Sequence, residues 1–497
     1  MKDNALEKGS IKMTRINEER NLTMLVDFYE LTMANGYWKQ GKADEECVFD
    51  MFFRKIPDNG GYAIMAGLEQ LIQYLQELHF TDEDIEYLRG KNCFCEEFLR
   101  YLRNFEFTCD VWAIPEGTPI FPQEPIVIVK GPAIQAQLVE TMVLLSINFQ
   151  SLIATKSSRI SRAANGRAVM EFGSRRAQGY DAAILGARAA FIGGCGATAC
   201  TLADRYFGVP AVGTMAHSWV QMFESEYEAF KAYAEVYPDN CTLLVDTYDT
   251  LRTGVPNAIK VFNEVVLPAG YRPKGIRIDS GDIAYLSKKA RKMLDNAGFE
   301  DCKIVASNSL DEYIIRDLFQ QGAKIDSFGV GEKLITAQPN AVFGGVYKLA
   351  AVHEGGEWRG RIKLSSSVEK VTTPGFKKVY RLYDCNSNMA TADLVVLNDE
   401  VIDETKPLTI FDPNATWKQT TLENFRAESL LQPIFENGKL VYDQPSLLDV
   451  QAYCRAQLET MWPEVLRFEN PHEYYVDLSK KLWDLKNEML MKQKGEK

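Results

Sequence analysis

Apolar positions along the chain keep two different periods, and the change of period divides it. Residues 64–78 (IMAGLEQLIQYLQEL) repeat apolar side chains at helical spacing and predict a helix. CVFDMFFRKIP (47–57) predicts a strand ended by Pro57. PIVIVK (125–130) predicts another, and a helical run follows from about Pro132 to Ala164.

From about residue 165 short apolar runs recur, each followed by Gly or a small polar residue and then a helical stretch. They are AVMEFG, AAFIGG, VPAVGT, CTLLVDT, GIRIDSG, KIVASNS, DSFGVG and FGGVYK. Spacing of roughly 20 to 33 residues predicts parallel β/α units, and seven or eight in succession predict a closed barrel rather than an open sheet. Polar residues cluster just past each run, at the C-terminal strand ends where barrels carry their sites. After about residue 350 the alternation stops. KKVYRLYD and MATADLVVL there predict an antiparallel or mixed sheet, and Leu478, Leu482, Leu485 and Met489 predict one apolar face of a terminal helix. The expected division is an N-terminal α/β domain (1–135), a β/α barrel with the active site (136–350), and a C-terminal α+β segment (351–497) packing on the N-terminal domain and ending in helices.

Composition narrows the function. The 497 residues are 46% apolar and 25% charged, as in ordinary globular proteins. A net charge of -12 argues against nucleic acid and anionic membranes as general partners, while leaving room for a local basic site. Ten Cys lack metal-type spacing, Cys93 and Cys95 forming only a C-x-C, so reduced and mostly buried thiols in a cytoplasmic protein are expected. The first 20 residues have no apolar core of a secretory signal, and no apolar run approaches the length of a membrane span. His79, His217, His353 and His472 are the only four His, too few for a His-rich metal site.

The chemistry-bearing residues sit past the short runs. EFGSRRAQG (171–179) sets two Arg at a strand end, suited to bidentate capture of carboxylate or phosphate but also to a surface ion pair. GTMAHSW (213–219) places His217 among Gly213, Thr214 and Ser218, where it could act as a base, accept a phosphoryl group or be structural. IRIDSGD (276–282) brings Arg277, Asp279 and Asp282, fit for hydroxyl or Mg²⁺ binding or for a polar turn. VASNSLDE (305–312) and FGVGEKL (328–334) each offer backbone N–H groups to an anion, with Lys348 of FGGVYKL close by in sequence. GCGATA (194–199) matches a dinucleotide loop, but the acidic residue expected about 20 positions on is missing. There is no P-loop.

Taken in this order, the motifs from LVDFYELTMANGYW (25–38) to FGGVYKL resemble the nicotinate phosphoribosyltransferase family and, more distantly, nicotinamide phosphoribosyltransferases. The resemblance implies an irregular, TIM-like β/α barrel of the type II phosphoribosyltransferases and a homodimer with shared active sites. It implies ATP-dependent transfer from phosphoribosyl pyrophosphate to nicotinate, with Mg²⁺, giving nicotinate mononucleotide and pyrophosphate. Tyr29 would reach the neighbouring subunit's site and stack on the pyridine, with Phe172 on the other face and Arg175 by the ring substituent and phosphates. Thr214 would contact substrate, and His217 would be phosphorylated by ATP. Arg277 and Asp279 would flank ribose and base. From the residues themselves, Asp279 and Asp282 are the candidate Mg²⁺ ligands. Ser307, Asn308, Gly329 and Gly331 would hold the 5′-phosphate, with Lys348 nearby. Glu332 stands where many relatives have Thr. No acidic residue occurs between Asp181 and Asp204, where amide-using relatives place an Asp, which favours nicotinate over nicotinamide. The competing readings are a nicotinamide or quinolinate phosphoribosyltransferase, a catalytically silent binding protein on the same fold, and an oxidoreductase built on GCGATA.

Overall fold

Two sheets of opposite character carry the chain in the computed structural model, which describes residues 20–367 and 370–493. Most of the polar N-terminal stretch discussed above, up to residue 19, lies outside the described residues.

The first sheet has seven antiparallel strands. Its centre is Glu46–Phe53 between Gly345–Glu354 and Val127–Pro132. Asp110–Ala113 extends it, and Gln432–Glu436 adds a strand from far along the chain. Seven of the eight residues in Glu46–Phe53 are buried, so both faces are covered and the sequence shows a continuous apolar run rather than alternation. Helix Leu68–Glu77 packs Leu68, Leu71, Ile72 and Leu75 into the same core.

Beneath it runs helix Glu140–Ala163, 24 residues long. Together with the preceding turn it is long and apolar enough to cross a membrane, but 72% of its most apolar stretch is buried in the protein. Its charged residues are satisfied internally: Lys156 and Arg159 both reach Glu312, at 2.8 Å. It is a core helix.

The second sheet has six strands, all parallel: Ala197–Thr198, Ala168–Glu171, Ser327–Val330, Lys303–Ser307, Gly275–Ile278 and Thr242–Leu244, in spatial order. The first and last long strands in sequence are therefore neighbours. A single parallel bridge, Thr198 to Ala211, continues it past the two-residue edge strand. A third sheet of four strands pairs Lys377–Asp384 with Ala390–Leu397 in antiparallel fashion and Ala390–Leu397 with Tyr475–Leu478 in parallel, a mixed sheet within the expectation for these segments.

Three expected strands are placed otherwise. AAFIGG is the end of helix Tyr180–Ile192. Ala189 and Ala190 are fully buried, and a Cβ on Gly193 would lie 2.3 Å from the Ala154 carbonyl oxygen. A helix buried on that side has the apolar run of a strand, so period alone does not separate them. VPAVGT forms only the bridge at Ala211. FGGVYK belongs to the antiparallel sheet, with Lys348 opposite Asp50. Leu478 ends strand Tyr475–Leu478, and the last helix starts after it, at Lys480.

Candidate active site

Strand geometry assembles the site. Side chains two residues apart share a face of a strand. Arg277 lies opposite Leu244 on one neighbour and Val305 on the other. Asp246, Asp279 and Ser307 each stand two residues further on, so they form one row just past the C-terminal ends of three adjacent strands.

The row is knit together by Arg277. Its Nε donates to Ser307 Oγ (2.9 Å), one terminal nitrogen to Thr214 Oγ1 (3.2 Å) and the other to Asp279 Oδ1 (3.1 Å). The Ser307 hydroxyl donates to the same Asp279 oxygen. Asp246 Oδ2 accepts the Asp279 amide (3.1 Å) and the Ser280 hydroxyl (2.6 Å). His217 opens a short helix beside this row. Its Nδ1 is 3.1 Å from Thr247 Oγ1, and its Nε2 is 3.7 Å from Asp279 Oδ2. The His217 side chain is 40% exposed, so the ring is reachable from outside.

Across the sheet lies a wall made by Phe172. Its amide donates to Val330 O (2.8 Å), and a Cβ on Gly329 would lie 2.4 Å from its Cδ2, so only Gly lets the ring sit there. Arg277 lies over the same ring, 5.8 Å from its centroid. Glu171 beneath is fully buried, and burial raises its carboxyl above the ordinary range. Arg175 is exposed, with no hydrogen bond or ion pair among the described residues, while Arg176 pairs with Glu332 at 3.7 Å. Asn308 (φ 77°) and Ser309 (φ 55°) are two consecutive left-handed residues after Ser307, beside the end of strand Ser327–Val330 and Gly331. Such a turn aims backbone N–H groups outward and suits an anion.

His217, Arg277, Asp279, Thr214 and Ser307 are thus joined by direct contacts, and Phe172, Gly329 and Gly331 adjoin them. Lys348 is not among them. Its ammonium donates to Tyr347 O (2.6 Å) and lies 3.6 Å from Glu140, in the antiparallel layer. Tyr29 faces the same Glu140, and partial burial first, then this carboxylate, raises its hydroxyl well above the ordinary range. Tyr29 and Lys348 therefore gather around one carboxylate, away from the Arg277 row of their own chain. Asp282 caps a helix, accepting from Tyr285 N at 2.9 Å. Both Asp279 oxygens face the row. The cap leaves Asp282 its second carboxylate oxygen for a metal, and no group of three His, Cys, Asp or Glu that could hold a metal occurs among the described residues. Asp246 and Thr247 are the additions. Asp246 keeps a buried carboxylate oxygen, Oδ1, without a partner. The polar pair ending CTLLVDT, just past an apolar run as Asp279 is, was the signal for them. GCGATA follows a helix rather than a strand, so it lacks the strand–turn–helix setting that a dinucleotide loop needs.

Three family models match in succession: the nicotinate phosphoribosyltransferase N-terminal domain over residues 24–148, the nicotinate phosphoribosyltransferase family over 167–363, and the C-terminal domain over 376–486. A Bacillus subtilis nicotinate phosphoribosyltransferase is 46% identical over 94% of this chain and 95% of its own length. The Homo sapiens nicotinate phosphoribosyltransferase is 31% identical over 94% and 96%. The crystal structure of human nicotinic acid phosphoribosyltransferase superposes with a TM-score of 0.83, covering 93% of this chain and 99% of that one. A Pyrococcus furiosus nicotinate-nucleotide pyrophosphorylase shares the fold, with a TM-score of 0.65 at 24% identity, covering 90% and 98%.

Proposed function

The chain belongs to the nicotinate phosphoribosyltransferase family, and from that premise we propose that it transfers the phosphoribosyl group of phosphoribosyl pyrophosphate to nicotinate, coupled to ATP, giving nicotinate mononucleotide and pyrophosphate. The observation that carries the reading is the knot of Arg277, Asp279 and Ser307 with His217 at its rim.

Chemistry follows from the residues. The pyridine nitrogen is already a free nucleophile, so no strong general base is needed. As pyrophosphate leaves C1′, positive charge develops on the ribose, and the Asp279 carboxylate stabilises it without moving, because Arg277 and Ser307 hold it. Asn308, Ser309, Gly329 and Gly331 supply N–H groups for the 5′-phosphate. Phe172 backs the pyridine, and Arg175, unpaired in the structure, takes the carboxylate. His217 accepts a phosphoryl group from ATP, which the exposure of its ring supports.

Two larger features belong to the same reading. The six parallel strands are an irregular barrel, supported by the pairing of Ala168–Glu171 with Ser327–Val330, and opened beside Ala211 and Thr242–Leu244. The active unit is a homodimer in which Tyr29 enters the partner's site, supported by the exposure of Leu25, Phe28, Tyr29 and Met33 along one apolar segment. The division at residues 135 and 350 is kept as the working description.

The test is a product assay with nicotinate, phosphoribosyl pyrophosphate and magnesium chloride, with and without ATP. Nicotinate mononucleotide formed faster with ATP, together with ADP, is the expected result. Product from nicotinamide or quinolinate instead overturns the substrate, and no product from any of the three overturns the enzyme.

A further inference from the structure

Glu171 is a buried acid without a cation. Its side chain is fully inaccessible, and no Lys, Arg or His contacts it among the described residues. Isolating a carboxylate from water is costly unless hydrogen bonds compensate. Here one oxygen accepts the Gly173 amide and the other accepts the Thr198 hydroxyl at 2.7 Å. Glu171 and Thr198 are directly paired across adjacent parallel strands, and Thr198 is also fully buried.

The contacts go to three loops at the same end of the sheet. Gly173 begins the turn that carries Phe172 and Arg175. Thr198 Oγ1 accepts from Cys200 N (3.0 Å), and the Glu171 carbonyl accepts from Ala199 N (2.8 Å), which ties in the next loop. The Thr198 backbone donates to Pro210 O (3.0 Å) and accepts from Val212 N (2.9 Å), reaching the segment that leads to Thr214. A neutral apolar pair would fill the same space, but it would leave the Gly173 and Cys200 amides without these acceptors.

We infer that Glu171 and Thr198 are positioning residues that set the width of the slot for the aromatic acid, and so determine affinity for nicotinate rather than for the phosphoribosyl donor. Of the groups placed at the donor, Arg277, Asp279, Ser307 and the Asn308–Ser309 turn have no side-chain contact with the pair, and Gly329 and Gly331 flank Val330, which neighbours Glu171 through the strand backbone alone. The inference rests on the proposed nicotinate site.

The experiment is steady-state kinetics of full-length Thr198→Val, which keeps the shape and removes the hydroxyl, beside Thr198→Ser, which restores it. Loss of one hydrogen bond to a buried charge is expected to raise the KM for nicotinate about tenfold in Thr198→Val. The KM for phosphoribosyl pyrophosphate and kcat stay within about threefold by the same reasoning, and Thr198→Ser returns the nicotinate KM towards the original value. Should Thr198→Val not fold, Glu171→Gln carries the same test, since it keeps volume and the Gly173 contact but loses the charge. An unchanged nicotinate KM, or equal rises in both KM values, overturns the inference. If the unmodified enzyme makes no nicotinate mononucleotide, the proposed function fails instead, so the two failures are distinguishable.

Discussion

Asp279 presents Oδ2 to His217 at 3.7 Å while its other oxygen is held by Arg277 and Ser307. The carboxylate therefore cannot rotate away from the imidazole without breaking two charge-assisted contacts. One residue faces both the expected ribose position and the expected phosphorylation site, which gives the structure a route for coupling them.

The first expectation is that His217→Ala abolishes incorporation of label from γ-labelled ATP and removes any stimulation by ATP. Slow ATP-independent transfer remains, because Arg277, Asp279 and Ser307 keep their contacts with one another. Label measured after rapid gel filtration decides this. Undiminished label in the variant removes His217 from the role.

Arg175 and Arg176 are adjacent but not equivalent. Arg176 already pairs with Glu332, whereas Arg175 has no partner among the described residues. Removing a charge-assisted contact to a carboxylate costs about 2 kcal/mol, or roughly thirtyfold in kcat/KM. Arg175→Ala is therefore expected to lower kcat/KM for nicotinate by about that factor, and Arg176→Ala by a few fold only. Equal effects in the two variants would show that the local pairing does not set their roles.

These cases show what the sequence holds and what it leaves out. Arg277, Asp279 and Ser307 were legible because each lies in or just past a short apolar run near its C-terminal end, where strands put alternate residues on one face, and His217 because it follows VPAVG among small polar residues. Asp246 follows the same rule and was readable in principle. Phe172 entered only through resemblance, and its contact with Gly329 was not legible, since a ring lying on a glycine leaves no periodic trace. AAFIGG was misread because a helix buried among neighbours is as apolar as a central strand. Lys348 was misplaced because its run looked like one more unit, when its partner is Glu46–Phe53, some 300 residues earlier. Pairing over that distance is a tertiary fact.

Glu332 bears on the donor. Its carboxylate adjoins the Gly331 turn and is balanced only by an exposed pair with Arg176. Exposed pairs contribute at most about 1 kcal/mol and are screened by salt. Glu332→Gln is expected to lower the KM for phosphoribosyl pyrophosphate by no more than about threefold at low ionic strength, with the difference vanishing at high salt. A large loss of donor affinity would mean that the carboxylate itself contributes to binding.

Stability should carry the signature of Glu30. Burial, with Glu140 and Asp27 nearby, pushes its carboxyl up to about 7, although Thr141 donates to it at 2.6 Å. The unfolded chain releases this proton near the ordinary value of about 4.3, while the native state keeps it to about 7. Between those values the native state binds more protons, so stability falls as pH rises through this window. Melting midpoints measured from pH 5 to pH 8 should decline in the unmodified protein and decline less in Glu30→Gln. Parallel curves would place the slope elsewhere.

Tyr29 tests the shared site. It is 44% exposed, with Phe28 at 51% and Leu25 at 46% beside it. If each site takes Arg175 from one subunit and Tyr29 from the other, Tyr29→Ala and Arg175→Ala are each nearly inactive alone but complement each other when mixed. In a mixed dimer one site inherits both lesions and the other inherits neither. Random exchange makes about half of the dimers mixed, each with one intact site, so about a quarter of the unmodified activity should return. Subunits are unfolded and refolded together, and activity is compared with the two variants refolded apart. If every site were built from a single chain, each subunit of the mixed dimer would still carry one lesion and nothing would be recovered. That outcome would return Tyr29 to the surface of its own subunit and leave the exposed segment around it to be explained by some other contact.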